Sequence, residues 1–140
     1  DLFPLRNEGK KFGLGRIGTL QTPMNLKEYS EHIKKTLNLS GLRVVGDLAK
    51  EIKKVAVLGG SGEKYIQAAK EQGADVYITG DMTFHPAQDA WEMGLAVIDA
   101  GHYIEKVMKK ATKTFLDEKL TETKVKVIVS RTSTEPFQFI

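Results

Sequence analysis

The stretch DVYITGDMTFHPAQDAWEMGLAVIDAGHYIEK, residues 75–106, holds two short apolar runs with an amphipathic run between them. DVYITG (75–80) and LAVIDAG (95–101) are rich in aliphatic and β-branched residues, which predicts two strands. HPAQDAWEMG (85–94) predicts a helix, because Pro86 suits a first helical turn and the last glycine suits a helix end. A strand, a helical crossover and a second strand predict a parallel β-α-β unit.

The same alternation continues on both sides of this unit. KVAVLG (54–59) predicts a strand, and a helix follows over 61–73. A long helix over 103–120 leads to KVKVIVS (124–130), whose alternating apolar residues predict a last strand. We therefore expect one α/β domain over 1–140, with a mostly parallel or mixed sheet and helical crossovers.

The segment before this alternation also carries local signals. FGLGRIGTL (12–20) predicts a glycine-rich strand, and LRVVG (42–46) predicts another. Asn25 and Glu28 stand three apart before an apolar stripe, which predicts a capping box at a helix start.

Composition restricts the kind of protein. The 140 residues carry a net charge of +3 from 21 basic and 18 acidic residues, which is too balanced to favour nucleic acid as a partner. No cysteine is present, so disulfides and thiolate-bound metals are excluded. No apolar run approaches the roughly 20 residues that cross a membrane, and the N-terminal residues lack a signal-peptide pattern. We expect a cytoplasmic protein.

Polar clusters follow three of the predicted strands, over 59–62, 79–85 and 99–105. In open α/β sheets, ligands bind outside the carboxyl ends of the strands. The three clusters should therefore open onto one edge of the sheet.

The first cluster, Gly59-Gly60-Ser61-Gly62, is a weak candidate for binding an anion. Glycines allow close backbone approach, and a helix N-terminus offers free N–H groups. The spacing matches no nucleotide-binding fingerprint. The alternative is a tight strand–helix turn in which Ser61 caps the helix.

The second cluster places Asp81 and His85 four residues apart. Each is a candidate for function, and His85 is the weak candidate for orienting or protonating a substrate. The alternative, which is the more common role for each residue alone, is a capping or packing residue at the helix start.

The third cluster gives the sharpest signal. His102 and Glu105 stand three apart, and spacing of three or four on a helix brings an imidazole and a carboxylate to one ion such as zinc, manganese or iron. The alternative is the polar first turn of a helix, with Glu105 favoured by the helix dipole. Two ligands alone do not hold a divalent ion tightly, and this segment offers no third.

The order GLGRIG, RVVG, VAVLGGSG and ADVYITGDMTFHPAQDAWEMGLAVIDAGHYIEK resembles the C-terminal half of the NIF-three-like family, from about Phe12 to the closing TEPFQFI. These are hexameric proteins with a dinuclear metal centre, and many are named homologues of type 2 GTP cyclohydrolase I. The run from Asp75 to Lys106 is most similar to the Gram-positive version.

This resemblance implies a metal centre with ligands from both halves of a longer chain. A G-H…E segment supplies a His and a Glu, which match His102 and Glu105. Some members have the Glu four residues after the His rather than three. The family's T-G-E appears here as Thr79-Gly80-Asp81, with a shorter carboxylate whose role stays open.

The same resemblance implies that the N-terminal half supplies a histidine pair and an aspartate. The three histidines here are not adjacent, and the chain begins with Asp1 rather than Met. We therefore expect the C-terminal part of a longer protein, without the N-terminal half and without the PII-like domain inserted in several Gram-positive members. The resemblance also implies a homo-hexamer and two divalent ions per subunit of the intact protein.

The sequence is compatible with three functions. The first is a metal-dependent hydrolase acting on a nucleotide ring or a phosphoester, with a nucleotide-like small molecule as substrate. The second is a non-enzymatic metal-binding ring that serves as a scaffold or regulator. The third is an α/β domain whose polar turns are all caps.

Overall fold

A computed structural model describes residues 3–7 and 10–140, with side chains from residue 13 onward. The strands are β1 Phe3–Asn7, β2 Lys10–Leu14, β3 Arg16–Asn25, β4 Arg43–Val45, β5 Glu51–Ser61, β6 Val76–Gly80 and β7 Ala96–Asp99. The α-helices are α1 Leu26–Thr36, α2 Ile66–Glu71, α3 Phe84–Glu92 and α4 Met108–Lys119, and 3₁₀ turns cover Glu63–Tyr65 and His102–Val107.

Five strands form one sheet in the order β3-β5-β6-β7-β4. The central strands β5, β6 and β7 are parallel, and the edge strands β3 and β4 run antiparallel to them. The predicted α/β class with a mixed sheet is therefore confirmed. β1 and β2 form a separate antiparallel pair.

The two central strands β6 and β7 are buried along their whole length. Helices cover both faces of a parallel sheet, so such strands are apolar without alternation. One face of the core gathers around Tyr77 and Val97, and the other around Ile78 and Ile98. This packing fixes the strand ends from which the polar clusters emerge.

Local chemistry starts α1 and α3 close to where the sequence predicts them. The Glu28 backbone N–H donates to the Asn25 side chain over 2.8 Å, and the Asn25 N–H donates back to the Glu28 carboxylate over 3.3 Å. The predicted capping box is therefore confirmed. Pro86 lies in the first turn of α3, where its missing N–H leaves no intrahelical bond unmade.

Some predicted elements are divided in the structure. The strand predicted over 12–20 is divided at Gly15, whose φ of 62° ends β2 and lets β3 start at Arg16. The helix predicted over 103–120 is a 3₁₀ turn up to Val107 and an α-helix only from Met108.

The strand predicted over 124–130 is wrong. Val125 and Ile128 are 63% and 78% exposed, and this segment joins no sheet in the described part of the chain. The segment instead contacts α4, where the Lys113 ammonium group donates to the Val127 oxygen over 3.0 Å. Alternation indicates one apolar face but not a neighbouring strand, and a strand without a ladder leaves its backbone groups unpaired.

No helix in the described part of the chain has the length and apolar character needed to cross a bilayer.

Tyr77 makes the stability of the fold decrease with rising pH in the alkaline range. Its ring is fully buried, its hydroxyl donates to the Gly62 carbonyl over 2.9 Å, and burial raises the pKa of Tyr77 from 10.0 to about 12. Between those values the unfolded tyrosine has lost its proton and the folded one has not, so stability is full below about pH 10 and falls as pH rises. We expect the free energy of unfolding to fall by on the order of 2 kcal/mol over this range.

Urea unfolding from about pH 9 to about pH 12 tests this, with Tyr77→Phe as the comparison. The variant should be less stable at neutral pH and should show a shallower alkaline decrease. Equal alkaline slopes for both proteins would refute the assignment to Tyr77.

Candidate metal site

The carboxyl ends of β5, β6 and β7 bring the three polar clusters together. Ser61 pairs with Gly80, and Thr79 pairs with Asp99, so the three strands end side by side. The Thr79 hydroxyl also donates to the Gly60 carbonyl over 3.1 Å. The predicted shared edge is confirmed.

His102 and Glu105 lie on the 3₁₀ turn that follows β7. Gly101 has a φ of 76°, a left-handed conformation that glycine adopts without steric cost, and it turns the chain out of the strand. A 3₁₀ turn has three residues per turn, so side chains three apart are eclipsed. His102 Nε2 therefore lies 3.6 Å from Glu105 Oε2.

The end of β5 forms a wall behind this pair. Gly60 has a φ of 66°, and a Cβ built on it would lie 2.6 Å from Glu105 Oε1 and 3.6 Å from His102 Cε1. A Cβ here would displace the Glu105 carboxylate from its position beside His102, and the positive φ itself favours glycine. The backbone of β5 and the 3₁₀ turn thus form one cradle.

The rest of the glycine cluster does not form a helix N-terminus. Ser61 is the last residue of β5, and the following 3₁₀ turn begins after Gly62 without a side-chain cap. The alternative that Ser61 caps a helix is therefore wrong. The Gly60 and Gly62 carbonyls accept hydrogen bonds from β6 side chains. Anion binding by this cluster stays a prediction.

Asp81, whose role the sequence leaves open, contacts His102 directly. The Asp81 Oδ2 and His102 Nδ1 atoms are 2.6 Å apart. The hydrogen bond and the charge of Asp81 both raise the pKa of His102, and Glu105 adds to this. A metal ligand must be the neutral imidazole, so a second proton on the His102 ring competes with metal binding.

Asp99 organises the two turns that carry these groups, and sequence reasoning assigned it no such role. Its side chain is 5% exposed and accepts from the Gly101 N–H over 3.0 Å, the Met82 N–H over 3.2 Å and the Arg43 guanidinium. A carboxylate at the end of a buried strand, two residues before a glycine, is the signal that could have identified it.

Replacing Asp99 with alanine should destabilise the protein by about 2 kcal/mol. Two backbone N–H groups lose a charged acceptor, a loss partly offset because the buried carboxylate is removed as well. Chemical denaturation measures the change, with Asp89→Ala on the exposed side of α3 as the control. Equal stability of the two variants would contradict the role of Asp99.

His85 is not part of the group formed by the Asp81, His102 and Glu105 side chains. It lies exposed in the first turn of α3, and its ring meets the edge of Phe84 at a centroid distance of 5.5 Å. It is not among the residues that line the cavity beside His102. Its catalytic role stays a prediction.

The donor set of His102 and Glu105 fits a divalent cation as part of a larger site. Imidazole nitrogen and carboxylate oxygen each bind zinc at about 2.0–2.2 Å, so two such donors on one ion lie at most about 4.2 Å apart. The observed 3.6 Å satisfies this limit. Among the residues from 13 onward, no group of three or more His, Asp or Glu side chains has a metal-holding arrangement.

A cavity of about 760 Å³ opens beside His102. The turn after α1 and the C-terminal residues 133–139 form its far walls. Tyr103 and Lys106 line it from the 3₁₀ turn, with the Lys106 ammonium group 5.2 Å from the Tyr103 ring centroid. This volume is within the usual range for small-molecule sites.

The sequence of this chain is similar to those of known proteins. A model of the family described as Duf34/NIF3 (NGG1p interacting factor 3) matches residues 2–136. A Bacillus subtilis (strain 168) protein named GTP cyclohydrolase 1 type 2 homolog is 48% identical over 142 aligned positions, which cover 100% of this chain and 38% of that relative.

The fold of this chain is also similar to solved structures. A Bacillus cereus protein related to NIF3 has a TM-score of 0.91 and 48% identity, covering 97% of this chain and 38% of that one. Reduced HcgD from Methanocaldococcus jannaschii has a TM-score of 0.62 and 37% identity, covering 77% of this chain and 44% of that one. The chain therefore spans less than half the length of these proteins.

Proposed function

The chain belongs to the Duf34/NIF3 family, and from this membership we propose that it forms part of a dinuclear metal-binding protein that acts as a metal-dependent hydrolase. The observation that supports this most directly is the placement of His102 Nε2 3.6 Å from the Glu105 carboxylate, against the glycine backbone of β5.

In this proposal His102 and Glu105 are two ligands of a larger set. Two donors hold a divalent ion weakly, and both side chains are about half exposed, at 57% and 51%. The remaining ligands come from elsewhere in the intact polypeptide, in line with the share of the relatives that this chain spans. The two ions per subunit are zinc, manganese or iron, since imidazole and carboxylate suit all three.

Such a pair of ions supplies an activated water and stabilisation of charge on a substrate oxygen. The residues of this chain would hold the ions and provide space and charge for a substrate. The Gly60 backbone packs close to the Glu105 carboxylate, and the cavity of about 760 Å³ beside His102 offers space for a small-molecule substrate. Lys106 on its wall provides a cation for an anionic substrate group.

The proposal includes a cytoplasmic homo-hexamer acting on a small molecule, with neither membrane nor nucleic acid as partner. Apolar side chains on and next to α4 support assembly, since Val107, Met108 and Phe115 are 52%, 58% and 57% exposed. Exposed apolar surface of this kind marks contact sites between proteins.

A second candidate is a non-enzymatic ring that binds metal and serves as a scaffold or regulator. The family description favours it to the extent that it names an interacting factor rather than an enzyme. Its metal site is the same, and only turnover distinguishes the two.

The test uses the intact protein, not this segment alone. Metal content is measured first, followed by hydrolysis of GTP and a panel of nucleotides and phosphoesters. Metal-dependent turnover supports the hydrolase. Two bound metals without turnover favour the scaffold, and a protein that retains no metal contradicts both candidates.

A further inference from the structure

The His102 ring lies between two carboxylates that approach its two nitrogens. Asp81 Oδ2 is 2.6 Å from Nδ1, and Glu105 Oε2 is 3.6 Å from Nε2. The first distance is that of a strong charge-assisted hydrogen bond, and the second is too long for a hydrogen bond. The two carboxylates therefore have different relations to the ring.

The backbone at Asp81 is held by features that do not involve His102. Asp81 has a φ of 54°, a left-handed conformation that aspartate tolerates better than most residues. The next residue is fixed as well, since the Met82 N–H donates to the buried Asp99 carboxylate over 3.2 Å. The Asp81 carboxylate is thus carried on a held backbone and lies 2.6 Å from the imidazole.

We propose that Asp81 is a positioning residue, whose carboxylate keeps the proton of the neutral His102 ring on Nδ1 and leaves the lone pair of Nε2 on the side of Glu105. This inference rests on the proposed function, because it assigns Nε2 as the metal-binding nitrogen.

The physical reason is the donor and acceptor inventory of the two side chains. An ionised carboxylate only accepts hydrogen bonds, so the ring nitrogen facing it must carry the proton. The nitrogen left over is then the acceptor, and its lone pair is available to a cation. An amide in the same place can donate through its NH₂ group, so it no longer selects one tautomer.

The test compares Asp81→Asn with the wild-type intact protein. Asparagine has the same shape and also tolerates a left-handed backbone, so the fold should be kept. Glu63→Gln is the control: its carboxylate lies near Asp81 but accepts from Thr83, over 3.2 Å from the N–H and 2.7 Å from the hydroxyl.

The first readout is the tautomer of His102 in metal-free protein, from nitrogen-15 NMR at a pH where the ring is neutral. Wild type and Glu63→Gln should both show the proton on Nδ1, and Asp81→Asn should show a shift toward Nε2. The second readout is zinc affinity, which should fall about 10–100-fold in Asp81→Asn only, the usual loss when a ligand loses its hydrogen-bond partner.

Each other outcome overturns the inference. An unchanged tautomer in Asp81→Asn does so, whether or not zinc affinity falls, because the carboxylate then does not select the proton position. A shifted tautomer with unchanged zinc affinity shows that Nε2 is not the binding nitrogen. Wild-type protein that takes up no zinc, manganese or iron defeats the proposed function itself, and the NMR comparison identifies that case separately.

Discussion

The His102→Ala variant of the intact protein should lose most of its bound metal. The imidazole nitrogen is a ligand atom in the proposed site, and its removal leaves Glu105 as the only donor from the 3₁₀ turn. The fall in affinity should exceed the about 10–100-fold typical for loss of a ligand's hydrogen-bond partner, because a metal–ligand bond itself disappears. The alanine should cost little stability, since the side chain is 57% exposed.

Metal content after dialysis and titration with zinc measure this effect. His32→Ala is the matched control, because that histidine lies exposed on α1 and stacks only loosely on Tyr29, with ring centroids 6.2 Å apart. The control should retain the wild-type metal stoichiometry. If His102→Ala retains it too, the ligand assignment is refuted.

Replacing Gly80 with alanine should damage both the fold and the site. A Cβ on Gly80 would lie 2.7 Å from the carbonyl carbon and oxygen of Gly101 and 2.8 Å from the backbone nitrogen of His102. All three contacts are with backbone atoms, which cannot rotate away as a side chain can. Overpacking of this kind typically costs about 1–3 kcal/mol and occasionally more. We expect at least about 3 kcal/mol here, because the clash falls on a buried strand end.

The same clash pushes the 3₁₀ turn away from β6, so zinc affinity should fall together with stability. Denaturant unfolding and zinc titration of one variant give both values. Gly18→Ala in β3 is the control, since a Cβ there meets no atom within 4 Å. Wild-type stability in Gly80→Ala would show that the turn packs less closely against β6 than the structure has it.

Several features of this protein follow from short-range sequence pattern alone. The capping box of Asn25 and Glu28 needs only residues three apart, and the buried strands β6 and β7 are continuous apolar runs. The meeting of three polar clusters at one edge follows from parallel order, because crossover connections leave all carboxyl ends on the same side. The pairing of His102 with Glu105 follows from their spacing.

Other features depend on which distant segments pack together, and local pattern carries no record of that. The 124–130 segment has strand-like alternation, yet it pairs with no strand in the described chain and is bonded to α4 through Lys113. Asp81 and His102 are 21 positions apart in sequence, and the register of β6 on β7 brings their side chains to 2.6 Å. A hydrogen bond forms only when the donor and acceptor are positioned with a precision of a fraction of an ångström. That precision is a property of the packed sheet rather than of either segment.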